Sequence, residues 1–219
     1  MKKYKLSSFL PLSYIFLLVL VSPLYDVLNK SGVQAVDVTT IVDDWIPFVK
    51  AFIIPYLLWF PYLYGALIYY CFADRKQYYV TLSSIILGKL TCFSIYYMWQ
   101  TTVPRPEVVG TDAFSNLVRY IYSIDQPVNC FPSIHVLTTF VIMLAAYKRR
   151  EQHKWEYWIL TFFGMLIILS TLFTKQHAFL DAVSGIVVAS TLYFGVQLLL
   201  AYRKEKVTIP VGQPYKVKL

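Results

Sequence analysis

Six apolar runs divide this chain, separated by polar or charged stretches, the longest of which, 102–132, reads as a loop. Five of them, near 7–28, 48–73, 78–101, 155–173 and 180–202, reach the roughly 20 residues that a helix needs to cross a hydrocarbon layer. The sixth, near 133–147, is shorter and begins inside a polar motif, Pro132-Ser133-Ile134-His135. Only Asp74-Arg75-Lys76-Gln77 separates the second run from the third, a connection that fits a tight hairpin between antiparallel helices. The pattern predicts an all-α integral membrane protein with six transmembrane helices. Residues 1–219 form one six-helix domain, with no room for a separate soluble one. Lysines precede the first run and Val33-Gln34-Ala35 resembles a cleavage site for a secretory signal. The run is long, however, and broken by Pro11 and Pro23, so it reads as the first helix rather than a signal peptide.

Composition agrees: 58% of residues are hydrophobic and 15% charged, with a mean hydropathy of +0.54, outside ordinary soluble usage. Cytoplasmic loops retain an excess of Lys and Arg. With the N-terminus inside, the inner segments at 2–5, 75–76, 148–154 and 203–218 collect fourteen such residues, and the outer side has five, Lys30, Lys50, Arg105, Arg119 and Lys175. Both termini are therefore expected in the cytoplasm. The net charge of +8 reads as topology, because a nucleic-acid partner would need a basic stripe on a folded polar surface; no nucleic-acid partner is expected. Cys71, Cys92 and Cys130 have no metal-ligand spacing and read as packing residues. Tyr56, Trp59, Tyr62, Tyr78, Tyr79, Tyr96, Tyr97, Trp99, Trp155, Tyr157 and Trp158 fall near the ends of runs and read as interfacial anchors.

This topology gathers Arg105, the Ser133–His135 motif and His177 on the outer face, the extracellular side if the membrane is the plasma membrane. Pro132 suits the first turn of a helix, whose free amides and partial positive charge bind phosphate. Ser133 adds a hydroxyl donor, and His135, about one turn in, is placed to protonate a leaving alkoxide. Taken alone, Ser133 is equally a cap and His135 a packed polar group. His177 and Asp181 stand at i and i+4 and share a face if the last helix starts by 177. Asp181 would then fix the imidazole tautomer, leaving the other nitrogen as a nucleophile toward phosphorus; a structural hydrogen bond is the alternative. Arg105 offers a bidentate fork for phosphate oxygens or pairs with lipid headgroups or Glu107. Lys175 is either a second phosphate contact or a marker of the headgroup boundary.

Lys89 is the one cation inside a run. It lies sixteen residues before Arg105, roughly 24 Å along a straight helix, which makes it too deep to touch the phosphate. It is read as an interhelical contact or as a polar group lining a substrate channel. His153 lies in the basic inner stretch Lys148–Lys154, on the opposite face. Three histidines with one on the wrong face give no usual metal-ligand set, and neither a metal nor a cofactor is expected.

Arg105-Pro106, Pro132-Ser133-Ile134-His135, and Ser170 followed by His177 and Asp181 resemble the three-part signature of the type 2 phosphatidic acid phosphatase superfamily, over about 89–181. The resemblance implies a six-helix, metal-independent membrane phosphatase working through a phosphohistidine. His177 is then the nucleophile, Asp181 its orienting partner, His135 the acid and later base, and Arg105 with Ser133 the phosphate ligands. Three positions depart from the family pattern: Met98 stands where it has Lys, Ile134 where it has Gly and Thr171 where it has Arg. Two basic ligands are thus missing, with Lys175 the available substitute. The same variants resemble the inositol phosphorylceramide synthase branch, which passes a phosphorylated headgroup between lipids. The expected function is hydrolysis of a lipid phosphate of the phosphatidic acid, phosphatidylglycerol phosphate or prenyl diphosphate type. The alternatives are headgroup transfer to a lipid alcohol acceptor and an inactive lipid-binding or transport protein.

Overall fold

In a nonpolar surround each backbone amide must find its partner within its own segment, so long apolar runs fold as helices. The computed structural model describes residues 9–29 and 34–208. Lys2, Lys3, Lys5, Lys30, Lys216 and Lys218 of the topology count, and Val33 of the cleavage-like motif, lie outside the described residues. In chain order the helices are α1 (Leu10–Leu28), α2 (Ile41–Trp45), α3 (Lys50–Ala73), α4 (Arg75–Met98), α5 (Ala113–Ile124), α6 (Ile134–Arg149), α7 (Lys154–Phe173) and α8 (Phe179–Thr208). Among the described residues five helices are long and apolar enough to cross a membrane: α1, α3, α4, α7 and α8, the last over Phe179–Arg203.

The sixth predicted span, α6, has 16 residues, about 24 Å at 1.5 Å per residue, and falls short of that length. It lies inside the bundle, packed against α3, α4, α7 and α8. Val136, Leu137, Thr138, Thr139, Val141, Ile142, Ala145 and Ala146 along it are fully buried. With protein on its sides, its ends are free of the need to reach the edges of a hydrocarbon layer.

The stretch 102–132, read from sequence as one loop, contains α5. Asp112 caps it by accepting from the amides of Phe114 and Ser115, and Val118 and Ile121 pack on Ile53 and Tyr56 of α3. The all-α expectation also misses a two-residue parallel pairing of β1 (Val36–Asp37) with β2 (Thr101–Thr102). An antiparallel bridge from Thr102 to Val128 then holds the segment leading into α6. At the other end of α6, Arg149, counted from sequence as a loop cation, is 8% exposed and bonded to Asp74 at 2.8 Å and Glu156 at 3.0 Å.

Small residues set how closely the helices approach. A Cβ on Gly185 of α8 would lie 2.8 Å from the Ser133 carbonyl oxygen and 3.3 Å from the Leu137 nitrogen, both backbone atoms of the α6 N-terminus. A Cβ on Gly164 of α7 would instead meet the flexible Met143 side chain, and one on Gly195 nothing within 4 Å. Gly185→Ala is expected to destabilise the protein by about 1–3 kcal/mol through overpacking, Gly164→Ala by less, and Gly195→Ala is expected to be neutral or stabilising by up to about 1 kcal/mol through helix propensity. Thermal unfolding in detergent checks the order; an equal effect at Gly185 and Gly195 contradicts the packing.

Candidate active site

Where α7 ends, the chain turns through a hydrogen-bonded cap. The Lys175 amide donates to the Leu172 carbonyl at 3.1 Å and the Gln176 amide to that of Thr171 at 3.0 Å, with Lys175 itself in the left-handed region at φ 52°. The turn carries the Lys175 ammonium to the Asp43 carbonyl oxygen at 2.8 Å. Its amide partner to the Thr171 carbonyl is followed by a second, from His177 at 3.1 Å, which seats the imidazole at the mouth of α8.

α8 starts at Phe179, two residues later than the helical i, i+4 pairing of His177 with Asp181 requires. The pair forms nonetheless, with His177 held in the preceding loop and the Asp181 carboxylate reaching back: His177 Nδ1 lies 3.4 Å from Asp181 Oδ2. The same oxygen accepts from the Ala178 amide at 2.8 Å. His177 Nδ1 is also 3.1 Å from the Cys130 carbonyl oxygen. Both partners of Nδ1 are acceptors, so the ring proton belongs there, and the lone pair is on Nε2. His177 is 8% exposed and Asp181 fully buried.

The second motif meets the first through the backbone. The Ser133 amide donates to the Asp181 carbonyl at 3.1 Å. Ser133 is the N-cap of α6, its hydroxyl accepting from the Val136 amide at 3.3 Å. Pro132 therefore precedes the cap, rather than occupying the first turn as expected from sequence, because the serine side chain competes for that role. His135 Nδ1 lies 3.4 Å from His177 Nε2. Its ring packs against Trp59 and Tyr56 of α3, centroids 4.4 and 4.8 Å away. Both aromatics are buried and so are pocket walls, which corrects their reading as interfacial anchors; Tyr78 and Tyr96 are likewise buried. Tyr97, Trp155 and Trp158 are exposed and keep that reading.

His135 and His177 line a cavity of about 340 Å³ whose walls include Tyr56, Trp59, Tyr96 and Lys89. Lys89 is 9% exposed and donates to Ser22 Oγ at 3.0 Å. From sequence Lys89 is expected to lie too deep to reach the phosphate, at a depth set by a straight helix running to Arg105. That helix ends at Met98, and the chain beyond turns away as β2, so Lys89 opens on the same cavity as the two histidines.

Arg105 does not line this cavity. Its guanidinium donates to the Asp125 carbonyl at 2.6 Å and the Tyr122 carbonyl at 3.3 Å, and to Gln176 Oε1, and stacks 4.4 Å from the Tyr122 ring. Its Nε is buried without a partner. The fold thus brings Ser133, His135, His177 and Asp181 together, sets Arg105 behind Gln176, and turns Lys175 away. Cys130, His177 and Asp181 also place possible metal-ligand atoms within 4.8 Å of one another. Burial pushes the Cys130 thiol up, which favours S–H over the thiolate that a metal binds.

Asp43 escaped sequence reading. It is 8% exposed; Oδ2 accepts from the Thr40 amide at 2.8 Å and Oδ1 from the Phe179 amide, at the start of α8, at 2.7 Å. Thr40-x-x-Asp43 has the spacing of a capping box, and that was its available signal. Asp43→Ala is expected to lose about 1–2 kcal/mol of stability and to lower turnover by releasing the His177 loop, with Asp43→Asn retaining more of both. Unfolding midpoints and kcat for the two variants check this; full turnover in Asp43→Ala contradicts it.

A family model described as the PAP2 superfamily matches residues 36–194. No curated protein and no solved structure matches the chain.

Proposed function

The chain belongs to the PAP2 superfamily, and from that premise we propose that it is a metal-independent membrane lipid-phosphate phosphatase acting through a phosphohistidine. One observation carries the proposal: the bare Nε2 of His177, its tautomer fixed from behind, lies 3.4 Å from His135 Nδ1 where both rings line the cavity. With a lone pair on His177 Nε2, the proton between the rings sits on His135 Nδ1. A phosphoryl group arriving from the cavity and displacing this contact meets a nucleophile in one ring and a proton donor in the other.

The steps follow. His177 Nε2 attacks phosphorus and the bond from phosphorus to the lipid oxygen breaks; His135, made an imidazolium by a proton that the lipid phosphate brings in, gives its Nδ1 proton to the departing alkoxide and is left neutral. Neutral His135 then takes a proton from water, whose oxygen attacks phosphorus as the nitrogen–phosphorus bond breaks, releasing phosphate. Asp181 supports the positive charge on His177 in the intermediate. The first-turn amides of α6 hold the phosphoryl oxygens, oriented by Ser133, which is fully buried and caps that turn rather than lining the cavity, with Arg105 adding positive charge from behind Gln176. In the membrane, α6 counts as the sixth span, both termini lie in the cytoplasm and the cavity faces the outer side of the plasma membrane. The Lys and Arg distribution supports this orientation.

A second reading, transfer of a phosphorylated headgroup to a lipid alcohol, is favoured by the paucity of cations. Met98 and Thr171 stand where the family pattern has Lys and Arg, and the Arg105 fork is engaged by carbonyls. Such a site suits a phosphodiester, which carries less charge than a monoester. The lipid alcohol then replaces water in the second step.

Purified protein given phosphatidic acid, phosphatidylglycerol phosphate, a prenyl diphosphate and phosphatidylinositol, with and without diacylglycerol or ceramide, separates the two readings by mass spectrometry. Phosphate release that ignores the acceptor supports hydrolysis, and a new phosphodiester formed only with acceptor supports transfer. In either case His177→Ala is expected to abolish turnover. His135→Ala should lower it by about 10²–10⁴-fold, and Asp181→Asn by up to about 10⁴-fold through loss of the tautomer. Wild-type turnover in His177→Ala overturns the mechanism.

A further inference from the structure

The same cavity is also lined by Tyr25, Asn29, Asp125 and Asn129, none of which the two-histidine chemistry uses. Asn129 is 2% exposed, yet both its side-chain nitrogen and its oxygen lack a hydrogen-bond partner. Its neighbours fix it in place: Val128 bridges to Thr102 and the Cys130 amide donates to Thr101 Oγ1 at 3.1 Å. Its own φ of 59° is one that asparagine tolerates better than most residues. On the same cavity, Asn29 donates to Asp125 Oδ1 at 3.0 Å, and Tyr25 donates to the same oxygen at 2.7 Å. The Asn29 side-chain oxygen remains buried without a donor.

Buried polar atoms are seldom left unpaired, because desolvation without a bond is costly. Here the residues that carry an orphaned amide donor, two orphaned amide acceptors and a carboxylate line one cavity. An anionic group is disfavoured by Asp125 and by Asp26, which also lines the cavity. A cationic head group is disfavoured by Lys89 and offers no acceptor to Asn129. A hydroxyl both donates and accepts and fits all of them.

We propose that Asn29, Asp125 and Asn129 form a subsite for a hydroxyl-bearing, uncharged part of the lipid, either the head group of a phosphodiester or the alcohol of an acceptor. The proposal rests on the reading above only in taking this cavity as the lipid's.

The test is equilibrium binding in detergent, by displacement of a fluorescent phosphatidic acid, with every protein carrying His177→Ala so that no lipid is consumed. One arm compares phosphatidylglycerol with phosphatidylmethanol, the same phosphodiester without hydroxyls; the other compares diacylglycerol with its acetylated form. Asn129→Gly removes the amide while keeping the left-handed backbone that glycine adopts freely, and Asn29→Ala removes the second amide from a different element. The parent is expected to prefer the hydroxyl-bearing member of one pair, and each variant to shrink that preference by about tenfold; the arm in which this happens identifies the source. A parent with no preference in either arm, or a preference unchanged in both variants, overturns the proposal. Failure of the phosphatase reading shows separately, as turnover that survives His177→Ala in the otherwise native protein.

Discussion

One backbone hydrogen bond joins the two halves of this site. The Ser133 amide, at the cap of α6, donates to the carbonyl of Asp181, in the first turn of α8. That bond sets the separation of the two histidines, because His135 rides on the first turn of one helix and His177 on the loop that leads into the other. It forms only where the helices approach closely, and Gly185 makes that possible by presenting no Cβ to the Ser133 carbonyl.

The surroundings explain how the Asp181 carboxyl group is accommodated while fully buried. Its Oδ2 accepts from the Ala178 amide and faces His177 Nδ1, at a helix start where the backbone supplies partial positive charge. Asp43 braces the same helix start from outside through the Phe179 amide. In an apolar surround, where solvent cannot satisfy these groups, the protein closes each bond itself. Of the buried polar atoms left open, Asp181 Oδ1, the Asn129 amide and Asn29 Oδ1 lie at or beside the cavity, whereas others, Tyr70 Oη and Arg105 Nε among them, belong to residues that do not line it.

Much of this was legible in the sequence. Long apolar runs announced five helices by length alone, and the spacing of His177 and Asp181 announced their pairing, although the contact is made from a loop rather than along a helix. Family-type motifs identified His135 and Ser133 before any geometry was known. The remainder depended on contacts between residues far apart in the chain. Trp59 and Tyr56 look like any aromatics at a span end until α6 is placed beside them. Lys89 looks remote until the chain is seen to leave its helix at Met98. Arg105 reads as a free fork because nothing local reveals that the carbonyls of Tyr122 and Asp125 receive it. α5 was hidden in a stretch read as loop, although Asp112 ahead of an apolar pattern was its signal.

The central claim is that His177 reacts through Nε2 because Nδ1 is held by Asp181 and the Cys130 carbonyl. Acid-sparing quench of the enzyme during turnover, followed by proteolysis and nuclear magnetic resonance of the phosphopeptide, reads which nitrogen carries phosphorus. The account predicts phosphohistidine at His177 on Nε2. Phosphorus on Nδ1, on His135, or on no histidine while turnover proceeds would contradict it.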